Sequence, residues 1–369
     1  MDISINRSIG FNNNQTSIIS DDISLQNTHV FVGKFAGSLN VNNKSTAVVL
    51  GHEAARSSNN TNNNVLIGYR AGYNTQSENN VFIGANTGTN IRSGGRNVFV
   101  GTDVSPLAVN TINSVLIGHQ AGYANQTGIN NVFLGTESGR SNRSGSDNVF
   151  VGRNTGITNS LGHQNVFVGS NSGYLNVNGS SNTFVGHQAG FRNTTGNRNV
   201  YVGTHSGSES TSATRNVTIG SHAGKSNQFG SNNTLLGDSA SEYVSSGENN
   251  VTIGGLALQN AVHSQDNVTV GASAGQYMSC GERNTLVGVG AGRLNNNKKE
   301  IEFIQSIDSD GNDRTDTLNE MENLQNVTLV YDMVHVFRYT SFQENAVFER
   351  HTFAGVPFSF VSPIFVLIK

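Results

Sequence analysis

Residues 165–181 read NVFVGSNSGYLNVNGSS, and variants of this unit fill most of the chain. An apolar triplet that ends in glycine recurs sixteen times between Phe31 and Gly288. The interval between triplets varies slightly over the first three units and is constant from Gly84 onward. A period this strict is typical of a solenoid in which each unit forms one coil. The sequence therefore predicts an all-β fold, a parallel β-solenoid of about 16 coils of about 17 residues.

Each unit is expected to hold one short strand followed by a bend. Val166 and Val168 alternate along this strand, so they share one face, which we expect to line the interior of the coil. Gly169 supplies the bend, because glycine tolerates positive φ and close backbone approach. Small residues such as Ser172 then stand opposite this face and leave room in a thin core. Successive coils should stack about 4.8 Å apart through parallel pairing.

An asparagine precedes the strand in most units. It is present in thirteen of the fourteen units from Asn64 to Asn284, and Ser114 is the exception. Such a column fits two structural roles. The side chains can form an amide ladder along the rod, or each can cap a turn through its own backbone.

The middle residue of the triplet is expected to point away from the core of its own coil. It is large and apolar in thirteen units, and an exposed column of that kind would exceed the apolar patches of ordinary monomers. We therefore predict that the column packs between copies of the chain in a homotrimer. The predicted trimer interface consists of Phe82, Phe99, Phe133, Phe150, Phe167, Phe184 and Tyr201. The alternative is a flattened coil that encloses the column within the same chain.

The pattern Asn-Val-x-Val/Ile-Gly-x-x-Ala/Ser-Gly covers about residues 30–292 and resembles the head repeats of trimeric autotransporter adhesins of the YadA type. It is even more similar to related repeats in phage and large-virus tail-fibre and spike proteins. The resemblance implies a left-handed parallel β-roll that trimerises side by side and serves in attachment. The unit is longer than the usual bacterial head unit and no secretion signal opens the chain, which favours a fibre assembled inside a cell, as in a virus or phage.

The composition divides the chain into three parts. Residues 1–29 lack the unit and are predicted to be an N-terminal arm or cap, and residues 30–292 are the β-solenoid rod. Residues 293–369 are richer in aromatic and β-branched residues and are predicted to form a small C-terminal β cap or head domain. The apolar run 356–368 is far shorter than a transmembrane helix, so no transmembrane segment is expected.

Charge and cysteine content exclude several classes of protein. The net charge of −3 gives no basic footprint for nucleic acid. The single cysteine, Cys280, rules out a disulfide framework within the chain. The polar start of the sequence lacks the apolar region of a cleavable signal peptide.

Two clusters are candidates for metal sites. Asp308, Asp310 and Asp313 form a weak calcium candidate, although a plain Asp-Gly hairpin turn explains the same residues. His205 and His222 occupy the same place in successive coils and should lie side by side, but two histidines make an incomplete metal site. We therefore predict no metal site outside the weak calcium candidate, and no catalytic or cofactor-binding residues.

These features together predict a trimeric fibre or spike protein that mediates attachment to a surface or host receptor. Its expected location is a virion or an extracellular surface. Its expected partners are further copies of the chain, other structural proteins at one end, and a glycan or host receptor. The alternatives are a purely structural strut or lattice component, and a tailspike-type carbohydrate-active enzyme. No serine elbow, phosphate loop or catalytic carboxylate pair stands out, so the prediction is that the protein is not an enzyme.

Overall fold

The computed structural model describes residues 29–38, 46–59, 62–278 and 280–293, and four short strands further along the chain. The described residues contain strands and turns but no helix. The strands are β1 His29–Val32, β2 Ala47–Leu50, β3 Val65–Ile67, β4 Val81–Ile83, β5 Val98–Val100, β6 Val115–Ile117, β7 Val132–Leu134, β8 Val149–Val151, β9 Val166–Val168, β10 Thr183–Val185, β11 Val200–Val202, β12 Val217–Ile219, β13 Thr234–Leu236, β14 Val251–Ile253, β15 His263–Gln265, β16 Val268–Val270, β17 Cys280–Glu282, β18 Thr285–Val287, β19 Ser306–Ile307, β20 Asp313–Arg314, β21 Phe337–Tyr339 and β22 Phe348–Arg350.

One parallel sheet organises the rod. Strands β1–β14, β16 and β18 stand side by side in chain order and form a sheet of 16 strands. Equivalent residues of successive units pair directly, so Phe167 of β9 lies level with Phe184 of β10. The coil between Gly68 and Gly84, which is shorter than the later ones, keeps this register, since Leu66 still pairs with Phe82. The shortening therefore falls in a turn, and the predicted parallel β-solenoid is confirmed.

The glycine that ends each triplet is fixed by two constraints at once. Gly169 has a φ of +129°, and a Cβ on it would lie 2.5 Å from the carbonyl oxygen of Gly186 in the next coil. The φ lies in a region that other residues rarely adopt. Any side chain at this bend would also collide with the backbone of its neighbour, so the coils can stack at sheet spacing only if the whole column is glycine.

The core contradicts the predicted direction of the strand side chains. Phe167 is fully buried, whereas Val166 is 37% exposed, so the middle residue of each strand points inward and its neighbours point outward. The wall facing the ring is made of the smallest residues, and a Cβ on Gly173 would lie 2.4 Å from the Phe167 ring. An aromatic coil has room for only one large side chain, and the residue that faces the ring is therefore glycine or serine.

The predicted trimer interface is therefore wrong. The seven residues assigned to it are at most 1% exposed within a single chain, where they form the core: Phe82, Phe99, Phe133, Phe150, Phe167, Phe184 and Tyr201. The alternative of a flattened coil that encloses the column is the correct one. Each such ring contributes roughly 1.5–3 kcal/mol through burial.

The buried rings stack along the rod axis. From Phe133 to Tyr201, neighbouring ring centroids are 4.7–4.9 Å apart and the ring planes are within 7° of parallel. This distance is close to the spacing of about 4.8 Å between paired strands. The sheet register thus imposes the stacking, and the core is a continuous aromatic column rather than a set of separate pockets.

The ends of the chain are described only in part. Residues 1–28 lie outside the described residues, and so does most of the predicted C-terminal cap. The four short strands beyond the rod form two antiparallel pairs, β19 with β20 and β21 with β22. Among the described residues, there is no helix with the length and apolar character needed to span a bilayer.

Candidate interaction surface

The outer face of the 16-stranded sheet is the most unusual surface of the rod. It consists of the first and third residues of the three-residue strands and their equivalents in β1 and β2, which are aliphatic except for three threonines. The residues of this outer face that are 37–58% exposed are Val30, Val32, Ile83, Ile117, Val166, Val217, Ile219, Ile253, Val268 and Val287. Neither the column of first residues nor the column of third residues contains a charged side chain. This is the face that the sequence pattern led us to expect inside the coil.

The outer face is long, narrow and bounded by bends. Sixteen strands at sheet spacing span about 70 Å, and a three-residue strand spans about 10 Å across. On one side the chain bends at the residue five places before each triplet glycine, which we call the entry rim. On the other side it bends at the two residues after that glycine, which we call the exit rim. In the unit of Gly169 these are Gln164, with φ +57°, and the pair Ser170 and Asn171.

The asparagine column forms an amide ladder, which is one of the two roles that the sequence allowed. The carbonyl oxygen of the Asn148 side chain accepts hydrogen bonds from the backbone N–H of Asn165 at 3.0 Å and from its side-chain amide at 3.2 Å. The same amide donates to the carbonyl of Gly179 at 2.8 Å. Ser114 replaces one rung, and its hydroxyl accepts the N–H of Asn131 at 3.2 Å. The column satisfies buried polar groups and holds the start of each strand in place.

A second buried ladder was not predicted. Its members are Asn125, Asn142, Asn159, Asn176 and Asn193, each of which donates its side-chain amide to the preceding one at 2.7–2.9 Å from Asn142 onward. They also donate to a turn carbonyl of their own coil, as Asn176 does to Gly179 at 3.0 Å. The signal in the sequence was an asparagine seven places after the triplet glycine in five successive units.

Tyr201 shows how the core and the second ladder are coupled. Ser210 stands where the next rung would be, and its hydroxyl lies 2.8 Å from the Tyr201 hydroxyl. The ladder therefore stops, and the side-chain oxygen of Asn193 has no hydrogen-bond partner. Burial raises the pKa of Tyr201 to about 12, so the hydroxyl stays protonated and able to donate.

The histidine pair lies where the sequence predicted. The rings of His205 and His222 are stacked with centroids 5.2 Å apart, and His187 extends the row with an edge contact at 5.4 Å. Partial burial lowers the pKa of His205, and repulsion by His222, His187 and Lys225 lowers it further. The described residues hold no group of three or more His, Cys, Asp and Glu side chains that suits a metal ion.

The calcium candidate lies largely outside the described residues. Asp308 and Asp310 are not described, whereas Asp313 belongs to β20 and pairs with Ile307 in an antiparallel ladder. The two strands that flank the acidic turn therefore meet as the hairpin alternative requires.

One open groove lies on the turns. It has a volume of 490 Å³ and is lined by residues that include Gln76, Arg92 and Arg96. It lies where the shortened coil between Gly68 and Gly84 meets its longer neighbours. Its lining is polar and mixed in charge, and it contains no histidine, cysteine or pair of carboxylates.

Comparison of this chain with protein families, curated proteins and solved structures returns no match.

Proposed function

We propose that the chain is the rod of a homotrimeric fibre or spike that serves in attachment. The observation that carries this proposal is the uncharged aliphatic outer face, which runs the length of the sheet and is open in the single chain. An apolar stripe of this kind is typical of a surface that is covered by a partner. A partner of the same length and period is another copy of the chain.

The size of the outer face fits an interface between copies. Its projected area is about 700 Å², from a length of about 70 Å and a width of about 10 Å. The largest apolar patch of a typical monomer is about 300–600 Å², and each partner in a standard protein–protein interface contributes about 800 Å². The outer face is therefore larger than the apolar patch of a typical monomer and close to the area that one partner contributes to a standard interface.

Three copies fit the geometry of the outer face. Sheets packed face to face lie about 10 Å apart, so each of three sheets around an axis would lie roughly 5 Å from it. The side of the resulting triangle is about 17 Å, which roughly five to six extended residues span. That is close to the distance from the entry rim to the exit rim, so the corners of the triangle coincide with the bends. The resemblance to trimeric fibre repeats points to the same number of copies.

The mass of the full chain in solution tests the assembly. Sedimentation velocity should give a trimer, and replacing both Val149 and Val166 on the outer face with Asp should give rods of single-chain mass with unchanged circular dichroism. The matched control replaces the exposed turn residues Ser144 and Leu161 with Asp and should remain trimeric. A soluble monomer from the unaltered chain would refute the proposed assembly.

Attachment is tested separately. We expect the full chain to bind a glycan or a receptor on a cell surface, with other structural proteins of a virion or extracellular surface at one end. The rod offers repeated polar turns for many weak contacts, which add up when several copies are joined. Immobilised trimer presented with a glycan array and with host-type cells provides the measurement. A trimer that binds neither, but joins structural proteins at both ends, would instead be a strut.

A further inference from the structure

At two levels of the described sheet both rims carry a charged residue, and none of these four residues has an ion pair within its own chain: Arg96, Asp103, Asp147 and Arg153. Where the structure describes the chain, ion pairs join only Arg56 and Arg70 to Glu53, and Arg283 to Asp266. The carboxylates of Asp103 and Asp147 each accept one amide hydrogen bond of 2.9 Å, from Asn86 and Asn130. Both arginines are exposed, and neither forms an ion pair with a carboxylate of the described residues.

These charges occupy only two levels of the rod. Arg96 lies on the entry rim of β5 and Asp103 on its exit rim. Asp147 lies on the entry rim of β8 and Arg153 on its exit rim, so the signs are reversed. The two rims of one strand are about 17–20 Å apart, which is too far for a pair within the chain. At no other level of the described sheet do both rims carry Asp, Glu, Lys or Arg.

Cyclic symmetry brings such rims together. In a closed ring of parallel copies, the entry rim of one copy meets the exit rim of the next at the same height. Arg96 would then face Asp103 of the neighbouring copy, and Asp147 would face Arg153.

A shift by one coil would break both pairs. In one direction it would place Asp147 beside Glu137. In the other direction it would leave one new pair, Arg215 with Asp238. An antiparallel pair of sheets would also match these charges, but a closed ring of three equivalent copies has to be parallel.

We propose that these two charge pairs fix the register of the three parallel copies, so that the copies lie unstaggered around the axis. The partner is a second copy of this chain, and the inference rests on the proposed trimer. The apolar outer face stabilises the contact between copies but does little to fix their register, because its first and third strand residues are nearly the same in every coil. A uniform apolar face permits slips by whole coils, and any such slip loses the two pairs that form only at the levels where both rims are charged.

Charge reversal tests the pairs. Arg153→Asp should raise the dissociation constant of the full-chain trimer by about 3- to 125-fold, because three symmetric contacts change at once and each exposed pair contributes a factor of about 1.5 to 5. The double variant Asp147→Arg with Arg153→Asp restores opposite signs and should recover the original constant. Arg192→Asp, an exposed arginine off the rims, is the matched control and should have no effect.

Cysteine crosslinking tests the register. In a Cys280→Ser background, Asp147→Cys with Arg153→Cys should give covalent trimers under mild oxidation, since both positions meet at one corner. Asp147→Cys with His187→Cys, two coils apart, should give few or none. A wild-type chain that is monomeric refutes the trimer itself. A trimer that ignores Arg153→Asp, is not rescued by the double reversal or crosslinks equally at both spacings refutes the register and leaves the trimer standing.

Discussion

The rod has an earlier part, from β4 to β11, and a later part, from β12 to β18. The two parts share the same backbone arrangement but differ in the residues that fill their cores. From β4 to β11 the middle strand residue is aromatic in all strands except β6, which has Leu116. Among the five later strands of the sheet, three have threonine there instead: Thr218, Thr252 and Thr269. The register and the glycine bends continue unchanged through both parts. The fold therefore depends on the bends and the ladders more than on one kind of core residue.

One of the three threonine coils carries a large residue on the opposite wall. In the coil of Thr252, the position that is Gly173 in an aromatic coil is occupied by Leu258, which is fully buried. Leu258 belongs to a second apolar cluster, together with Met278 and Leu286.

At the Thr252 level the large side chain therefore comes from the opposite wall. At the Thr218 and Thr269 levels, by contrast, the equivalent positions are Gly224 and Gly275. The comparison shows that the same backbone accepts a large core side chain from either wall.

The largest expected effect is on the aromatic column. Phe167→Ala should lower the free energy of unfolding by about 3–5 kcal/mol, because it leaves a ring-sized cavity between Phe150 and Phe184. Thr252→Ala in the later coils should cost much less, since it removes only a hydroxyl and a methyl group. Guanidinium unfolding of the full chain followed by circular dichroism measures both. Equal losses would show that the two parts do not differ in the way described.

A second change tests the exchange of volume between walls. Thr252→Phe should destabilise by about 1–3 kcal/mol, because Leu258 already fills that level and overpacking strains the coil. The double variant Thr252→Phe with Leu258→Gly recreates the aromatic arrangement and should recover most of the loss. The same unfolding experiment measures it. If the double variant is less stable than the single one, the walls are not exchangeable.

A gain of stability is expected at Thr269. Its buried hydroxyl has no hydrogen-bond partner in the structure. Thr269→Val keeps the shape and removes that polar atom, so it should stabilise the chain by about 1 kcal/mol in thermal or guanidinium unfolding. Thr252→Val is the informative control, because the Thr252 hydroxyl lies 3.3 Å from that of Ser241 and its removal should not stabilise.

The smallest effect concerns the junction of the two parts, where His205 and His222 stack. The pKa of His205 lies below its ordinary value of 6.5, so the folded state binds a proton less readily than the unfolded state. Its contribution to stability is therefore complete above about pH 6.5 and declines as the pH falls toward the lowered pKa. Urea midpoints at pH 7.5 and 5 should differ less in His205→Gln than in the wild type. His163→Gln, an exposed histidine outside the row, should keep the original difference.

The sequence determined the period and the parallel stacking, and it gave the amide ladder as one of two roles for the first asparagine column. The constant spacing of the units fixes the register, because each residue pairs with its equivalent in the next coil. The positions of His205 and His222 followed from the same spacing. The second ladder, from Asn125 to Asn193, was within reach of the same counting.

Only the tertiary structure decided which face of the strand points inward. Val166, Phe167 and Val168 are all apolar, so alternation along the strand gives two apolar faces and no polar side to mark the solvent. The direction depends on how the chain closes after Gly169 and on the volume of the wall that it brings back. That wall carries Gly173, whose lack of a side chain makes room for the ring. The same closure leaves the valines outside, where they become the surface that a second copy can cover.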